Sequence, residues 1–330
     1  MNTALFVLAL ITCSGFVFVT LQFVVGMRKI AFLCDLQYPP QTTLPHVSII
    51  VPARNEARNL QQALSSVLSQ NYPCFEVILL FTDADIVMKS DTLYRAVTHM
   101  ETNHLNHLTL SPETTHKDTL LSIFSTYFSL YLFMYFKPWK ASDPHSKHYM
   151  GIGAFNLIRA STYHAIGGHE PLRLNPVDDL MLGKLIKQSG FKQDFLFGAG
   201  LISVEWYASL KEMINGLMKN MFAGMKFSIL FVLASTIGTF TFILWPYLGL
   251  GLTTGPTRYL NLLSTVCMVL HYQYMARLSN QPLWHGLSYP VAALLLTYVQ
   301  IRSMILTLKQ GGIIWRGTHY CLAELKRHRK

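Results

Sequence analysis

Charge is scarce in this chain. Of its 330 residues only 13% are Asp, Glu, Lys or Arg, while 51% are hydrophobic. That charge fraction is about half the norm for soluble domains and points to a membrane protein. Cysteine is also sparse. Cys13, Cys34, Cys74, Cys267 and Cys321 are scattered without metal-ligand spacing, so neither a disulfide framework nor a thiol catalyst is expected. No internal repeat and no low-complexity segment occurs. The apolar runs hold few ionisable groups beyond His271, His285 and, at one end, Arg302. A transporter, which places paired ionisable groups inside the membrane, is therefore disfavoured.

Acidic residues nearly vanish toward the C-terminus. Residues 27–226 carry 18 Lys/Arg against 16 Asp/Glu, whereas residues 257–330 carry 9 against one. The basic excess flanks apolar runs, so it fits positive-inside topology and attraction to anionic lipid, with no nucleic-acid partner. Met1 to Gly26 contains no charged side chain, lacks a basic leader and is followed by Arg28-Lys29; it reads as a membrane anchor rather than a signal peptide. Phe227 to Leu250 is a second charge-free run. At about 1.5 Å per residue it spans a bilayer core of roughly 30 Å. Tyr259–Met275 and Pro282–Ile301 are shorter or interrupted by Pro290. The region Pro282–Leu308 is expected to be partly interfacial or re-entrant, because an even number of spans returns the basic tail to the side of the middle domain. Thr119–Phe136, apolar and aromatic, is expected to lie against the domain or in the interface.

Between the anchor and the later runs lies an α/β pattern. His46–Val51 is a β-branched strand that Pro52 ends. Asn55 suits an N-cap, Glu56 suits the first helical turn, and Leu60, Ala63, Leu64, Val67 and Leu68 recur at helical spacing. Glu76–Thr82 is the next strand, so the unit is βαβ with ligands expected at the strands' carboxyl ends. Tyr149–Arg159, with Gly151, Gly153 and Ala154, fits a close-packed strand or turn beside a ligand. Gly167-Gly168-His169-Glu170 is a loop, and Asp178-Asp179 begins a helix that Gly190 ends.

The chemistry-bearing feature is Leu79-Leu80-Phe81-Thr82-Asp83-Ala84-Asp85, an apolar run ending in two carboxylates one residue apart. On extended backbone such a pair faces one way, which suits a divalent cation and, through it, a diphosphate. Standing alone, the pair equally suits a solvated strand end, and Asp178-Asp179 equally suits the dipole of a helix N-terminus. His99, His104, His107, His145 and His148 have tempting spacings, but no Cys or acidic set completes a metal site. Trp206 and Trp315 fit sugar packing or the membrane interface.

Taken in order, Val51-Pro52-Ala53-Arg54-Asn55-Glu56, Leu68-Ser69-Gln70-Asn71-Tyr72-Pro73, Asp83-Ala84-Asp85, Gly167-Gly168-His169 and Asp178-Asp179-Leu180 resemble the family 2 glycosyltransferases. Tyr149 to Asn156 and Gly311 to Thr318 look like the polytopic branch that includes hopanoid- and carotenoid-associated glycosyltransferases. The resemblance implies a GT-A-like (Rossmann-like) parallel sheet plus transmembrane helices. It implies a nucleotide-sugar donor along Pro52, Ala53, Arg54, Asn55 and Glu56, and Mg²⁺ or Mn²⁺ on Asp83 and Asp85. It places Asp178 and Asp179 on the acceptor side with Asp179 as general base, and Gly168 and His169 near the acceptor. The implied domains are an anchor (1–26), a GT-A-like domain (45–226), membrane or interfacial helices (227–308) and a basic cytosolic tail (309–330). The implied activity is inverting transfer to a lipid or isoprenoid acceptor, at the bacterial inner membrane with the catalytic domain in the cytosol.

One departure stands out. In the family, a strand beginning like Glu76-Val77-Ile78 ends in its own acidic motif, and further elements with a Gly-Lys loop precede the Asp-x-Asp strand. Here Asn55 and Asp83 are 28 residues apart, as though two strands were fused between residues 76 and 82. Each missing charge-assisted contact is worth about 1.5–3 kcal/mol, so weakened donor binding is expected. The alternative is a catalytically inactive membrane scaffold that keeps the fold.

Overall fold

The computed structural model describes residues 3–38, 44–52, 60–72, 78–116, 118–315 and 318–327. The first part runs α1 (Thr3–Met27), β1 (Val47–Ile50), α2 (Leu60–Leu68), β2 (Ile78–Phe81), β3 (Val87–Met88), α3 (Thr92–Thr102), β4 (His107–Ser111), β5 (Glu113–Thr114) and α4 (Thr119–Phe136). The middle holds β6 (Asn156–Arg159), α5 (Ala160–Ala165), α6 (Asp178–Gln188), β7 (Gln193–Phe197) and β8 (Ile202–Val204). The last part is helical: α7 (Leu210–Gly224), α8 (Ile229–Gly238), α9 (Trp245–Leu252), α10 (Gly255–Leu278) and α11 (Tyr289–Lys309). A hairpin of β9 (Gly312–Trp315) and β10 (Thr318–Cys321) and a short α12 (Leu322–Arg327) follow. These elements form two units, Gly26–Thr115 with Phe136–Trp206, and Met1–Val25 with His116–Tyr135 and Tyr207–Arg327.

The first unit is built on a five-stranded sheet in the order β1-β2-β6-β4-β7. β1 pairs parallel to β2, with Ile50 opposite Phe81, as the βαβ pattern requires. β4 and β7 are also parallel. The sheet is not parallel throughout, because β6 runs antiparallel to both β2 and β4. The direction of β6 follows from where its chain enters. The segment before it bonds to the end of β2, through Asp83 N to Gly153 O at 2.9 Å, so β6 starts at the edge where β2 finishes.

Alternation along the strands sorts two cores. Val47, Ile78, Leu80, Leu108, Leu110 and Leu157 pack with Leu93, Val97 and Met100 of α3 on one face. On the other, Ile158 packs with Leu182 and Ile186 of α6. His107 and Thr109 alternate with Leu108 and Leu110, so they belong to the α6 side of β4. Gly190, at φ +81°, ends the chain's α6 turn where sequence placed the stop. A smaller sheet, β3-β8-β5, completes the unit.

The second unit is helical. Among the described residues four stretches are long and apolar enough to cross a membrane: Thr3–Met27, Thr119–Lys140, Ile229–Leu252 and Leu283–Lys309. Thr119–Lys140, expected from sequence to lie against the domain or in the interface, thus meets the same length and composition criteria as the others, with 56% of its apolar window buried. α10 has 24 residues, but Arg258, Asn261, His271 and Arg277 keep it less apolar. Ile229–Leu252 continues through a π-helical segment at Thr239–Leu244. That widening precedes Pro246, whose ring would clash with the carbonyl four residues back in regular helix. Pro290 does not interrupt the last stretch. It occupies the first turn of α11, where an absent N–H leaves no bond unmade. Within the unit, the buried Tyr272 donates to the Ile123 carbonyl at 2.7 Å. Gly311, at φ +63°, closes α11, and a Cβ on Gly312 would stand 2.0 Å from Tyr320 O, which accounts for the Gly-Gly pair that opens the hairpin.

Candidate active site

The expected carboxylates gather at one edge of the five-stranded sheet. β2 ends at Phe81, and Asp83 to Ile86 form a turn closed by Ile86 N to Asp83 O at 3.4 Å. The two-residue alternation nevertheless persists through it. Thr82, Ala84 and Ile86 are buried, at 1%, 3% and 2% exposure, while Asp83 is exposed and Asp85 half-buried. Thr82 Oγ1 donates to Ala154 O at 2.8 Å and fixes the start of this turn. Burial raises the Asp85 carboxyl above its ordinary pKa, because removing a carboxylate from water without a cation disfavours its charged form.

The Gly151-Ile152-Gly153 turn meets this edge and the start of α6 together. Gly153 N donates to Asp179 Oδ2 at 2.9 Å. A Cβ on Gly153 would lie 2.7 Å from Asp83 Oδ2, and one on Gly151 would lie 2.1 Å from the Asp179 carbonyl. Gly151 is therefore required by the backbone packed against it, whereas a Cβ on Gly153 would displace only the Asp83 carboxylate; the side chains of Asp83 and Asp179 both come up against Gly153. Pro52 lies at the corresponding edge of β1, since β1 and β2 are in parallel register with Ile50 opposite Phe81. Ala53, Arg54, Asn55 and Glu56 lie outside the described residues.

His169 belongs to the same neighbourhood. Its ring packs edge-on to Phe81, centroids 4.8 Å apart, and its Nδ1 is 2.7 Å from the Tyr163 hydroxyl. Burial lowers its pKa, and the nearby Asp178 charge opposes that shift. Gly168, at φ +63°, stands against the Tyr163 ring. Asp178 and Asp179 occupy the first turn of α6. Trp206 packs on the larger core instead.

A pair of carboxylates offering hard oxygen ligands fits Mg²⁺ or Mn²⁺, which typically takes one or two protein carboxylates and completes its shell with substrate phosphates and water. Among the described residues no group of three or more His, Cys, Asp or Glu is placed to hold a metal. The fit is that of a shared site, not of a closed protein cage.

Sequence reasoning missed what lies behind the glycine turn. His107, Thr109, Asn156 and Gln193 are all buried on the α6 side of the sheet. A histidine and a threonine two apart in β4 (His107–Ser111), between leucines, were the available signal; their partners, 86 residues away in the case of Gln193, were not.

Comparison with known proteins agrees with this architecture. The chain matches Glycosyl transferase family 21 over residues 78–327 and Glycosyl transferase family 2 over residues 48–80. A 42-residue stretch is 48% identical to the glycosyltransferase AglE of Haloferax volcanii, covering 13% of this chain and 14% of that protein. Among solved structures, a mannosyltransferase of Pyrobaculum calidifontis, PcManGT in complex with GDP-Man and Mn²⁺, superposes with TM-score 0.51 at 13% identity, over 89% of this chain and 99% of that one. TarS 1-349 of S. aureus gives TM-score 0.33 at 10% identity, over 83% and 95%.

Proposed function

Because the chain belongs to glycosyl transferase family 21, we propose that it moves a hexosyl group from a nucleotide sugar to a lipid or isoprenoid hydroxyl, with inversion. The observation that carries this reading is the shared contact of Asp83 and Asp179 with Gly153. In this reading the contact brings the carboxylate meant for the diphosphate beside the one meant for the acceptor. The hexosyl specificity, acceptor class and stereochemistry are part of the proposal.

In this reading Asp179 removes the proton from the acceptor hydroxyl as its oxygen bonds to the anomeric carbon. The bond from that carbon to the diphosphate oxygen breaks, and the nucleoside diphosphate leaves. The Gly153 N–H holds one Asp179 oxygen in place, so the carboxylate needs little reorientation at the moment of transfer. Asp83 and Asp85 would hold Mg²⁺ or Mn²⁺, which when bound supplies positive charge to the leaving diphosphate. Pro52 to Glu56 would line the nucleoside, and Gly168 and His169 the acceptor. Four apolar stretches support a membrane-borne acceptor. We place the catalytic part within residues 45–226, facing the cytosol at a bacterial inner membrane, with the basic tail 309–330 on the same side.

The shortened donor half is part of the reading. The two family matches meet at residues 78–80, inside β2, and β1 lies directly beside β2. This supports loss of intervening elements and a weakened grip on the donor. It also favours the second reading, a membrane scaffold that no longer transfers sugar. Full-length protein in detergent, incubated with labelled GDP-mannose, Mn²⁺ and a lipid extract, separates them. Label entering the organic phase, and stopped by EDTA, supports transfer. No label from a panel of GDP- and UDP-sugars, together with no heat on titration at millimolar donor, leaves the scaffold.

A further inference from the structure

Four buried polar side chains from three adjacent strands hold the glycine turn from behind. His107 Nε2 donates to Asn156 Oδ1 at 3.0 Å, and Gln193 Nε2 donates to His107 Nδ1 at 2.8 Å. This fixes the imidazole as the neutral Nε2–H tautomer, since an amide oxygen only accepts and an amide nitrogen only donates. Gln193 spends its remaining donor on Gly183 O of α6 at 3.1 Å and accepts from Met150 N at 3.0 Å. Asn156 Nδ2 donates to Ile152 O at 2.8 Å. Thr109 Oγ1 accepts from Ile152 N at 3.1 Å and donates to Phe155 O at 2.9 Å. Apart from the Gln193–His107 bond, which links β7 to β4, each of these bonds ends on the segment from Met150 to Asn156 or on α6.

We propose that His107, with Gln193, Asn156 and Thr109, is a positioning residue that sets the spacing of Asp83 and Asp179 through the Gly151–Gly153 turn. The proposal rests on the active-site reading above. The turn is the common partner of both aspartates, and its backbone is tied at Met150 N, at Ile152 N and O, and at Phe155 O by the side chains of Gln193, Thr109 and Asn156. None of the four side chains has a buried polar atom without a partner, and His107 is 0% exposed. A satisfied buried polar network specifies one geometry, whereas an apolar core of the same volume tolerates several. An apolar strand needs no histidine for packing here; its use is to give the turn one position.

The test uses full-length protein in detergent and two variants. His107→Leu removes both of the histidine's bonds. His107→Gln offers an amide N–H and an oxygen with nearly the spacing of the ring nitrogens. The expected result for His107→Leu is faster hydrogen exchange at residues 150–156 and a kcat lower by roughly tenfold to a hundredfold, since misplacement by about 1 Å costs on that order. Donor KM should shift less than kcat, and His107→Gln should recover most of the loss. Unchanged exchange at residues 150–156, or equal damage in both variants, overturns the proposal. If His107→Leu does not fold, Thr109→Val, which keeps volume and removes the acceptor of Ile152 N, is read by the same criteria. Should the wild-type chain transfer no sugar, the exchange arm alone decides the network, and the active-site reading fails separately.

Discussion

Gly153→Ala perturbs one contact and leaves the fold in place. The added Cβ would stand 2.7 Å from Asp83 Oδ2 and 3.2 Å from its Cγ, well inside ordinary carbon–oxygen contact. What it meets is the end of a side chain, so the carboxylate can swing aside without backbone motion. The displacement needed is roughly 0.5–1 Å, whereas metal–ligand distances tolerate about 0.2 Å. Losing one charge-assisted ligand costs about 1.5–3 kcal/mol, or roughly 10- to 150-fold in Kd. Gly151→Ala is the contrast. Its Cβ would meet the Asp179 carbonyl at 2.1 Å and Gly183 N at 3.2 Å, and neither backbone atom can rotate away. That variant should lose about 1–3 kcal/mol of stability through overpacking. The assay is Mn²⁺-dependent nucleotide-sugar titration alongside thermal melting. Gly153→Ala should melt near the wild-type Tm and bind donor at least about tenfold more weakly. Wild-type affinity in a folded Gly153→Ala protein would refute the assignment of Asp83 to the donor's diphosphate.

Three further outcomes are expected. Asp179→Asn should bind donor normally while losing transfer by about 10²–10⁴-fold; full activity would remove Asp179 as the base. His107 is held near a pKa of about 4 by burial, against 6.5 in the unfolded chain. The unfolded state takes up the proton first as pH falls, so the stabilisation is complete above 6.5 and is lost between 6.5 and about 4, by about 3 kcal/mol at most. Denaturation of wild type and His107→Gln across that window should differ in slope, and parallel curves would contradict it. Tyr272→Phe should lower stability by about 0.5–1.5 kcal/mol through loss of the bond to Ile123 O, measured by melting in detergent; an unchanged melt would mean the bond adds nothing net.

Much of this is legible in the sequence. The strand at Val47–Ile50, the one ending at Phe81, and the helix from Asp178 to its Gly190 stop follow from β-branching, turn residues and a left-handed terminator, all local signals. Gly151 and Gly153 announced a close approach because small residues in an otherwise bulky stretch have few other uses. What they approach was not legible. The reversal of β6 depends on which edge its chain enters, and no periodicity encodes strand direction. The His107 network joins strands far apart in sequence, so each member alone looks like an isolated polar residue in a core strand. Pro290 misled for a related reason: a proline ends one helix or begins the next, and only the preceding short 3₁₀ turn at Leu283–Ser288 decides between them.

The central claim is that Asp83 and Asp85 present a divalent cation to a nucleotide sugar at the end of β2. Titration of detergent-purified, full-length protein with GDP-mannose, with and without Mn²⁺, tests it most directly, using Asp83→Asn as the comparison. The account predicts saturable binding that needs Mn²⁺ and weakens at least about tenfold in Asp83→Asn. Binding that ignores both the cation and the substitution would contradict it.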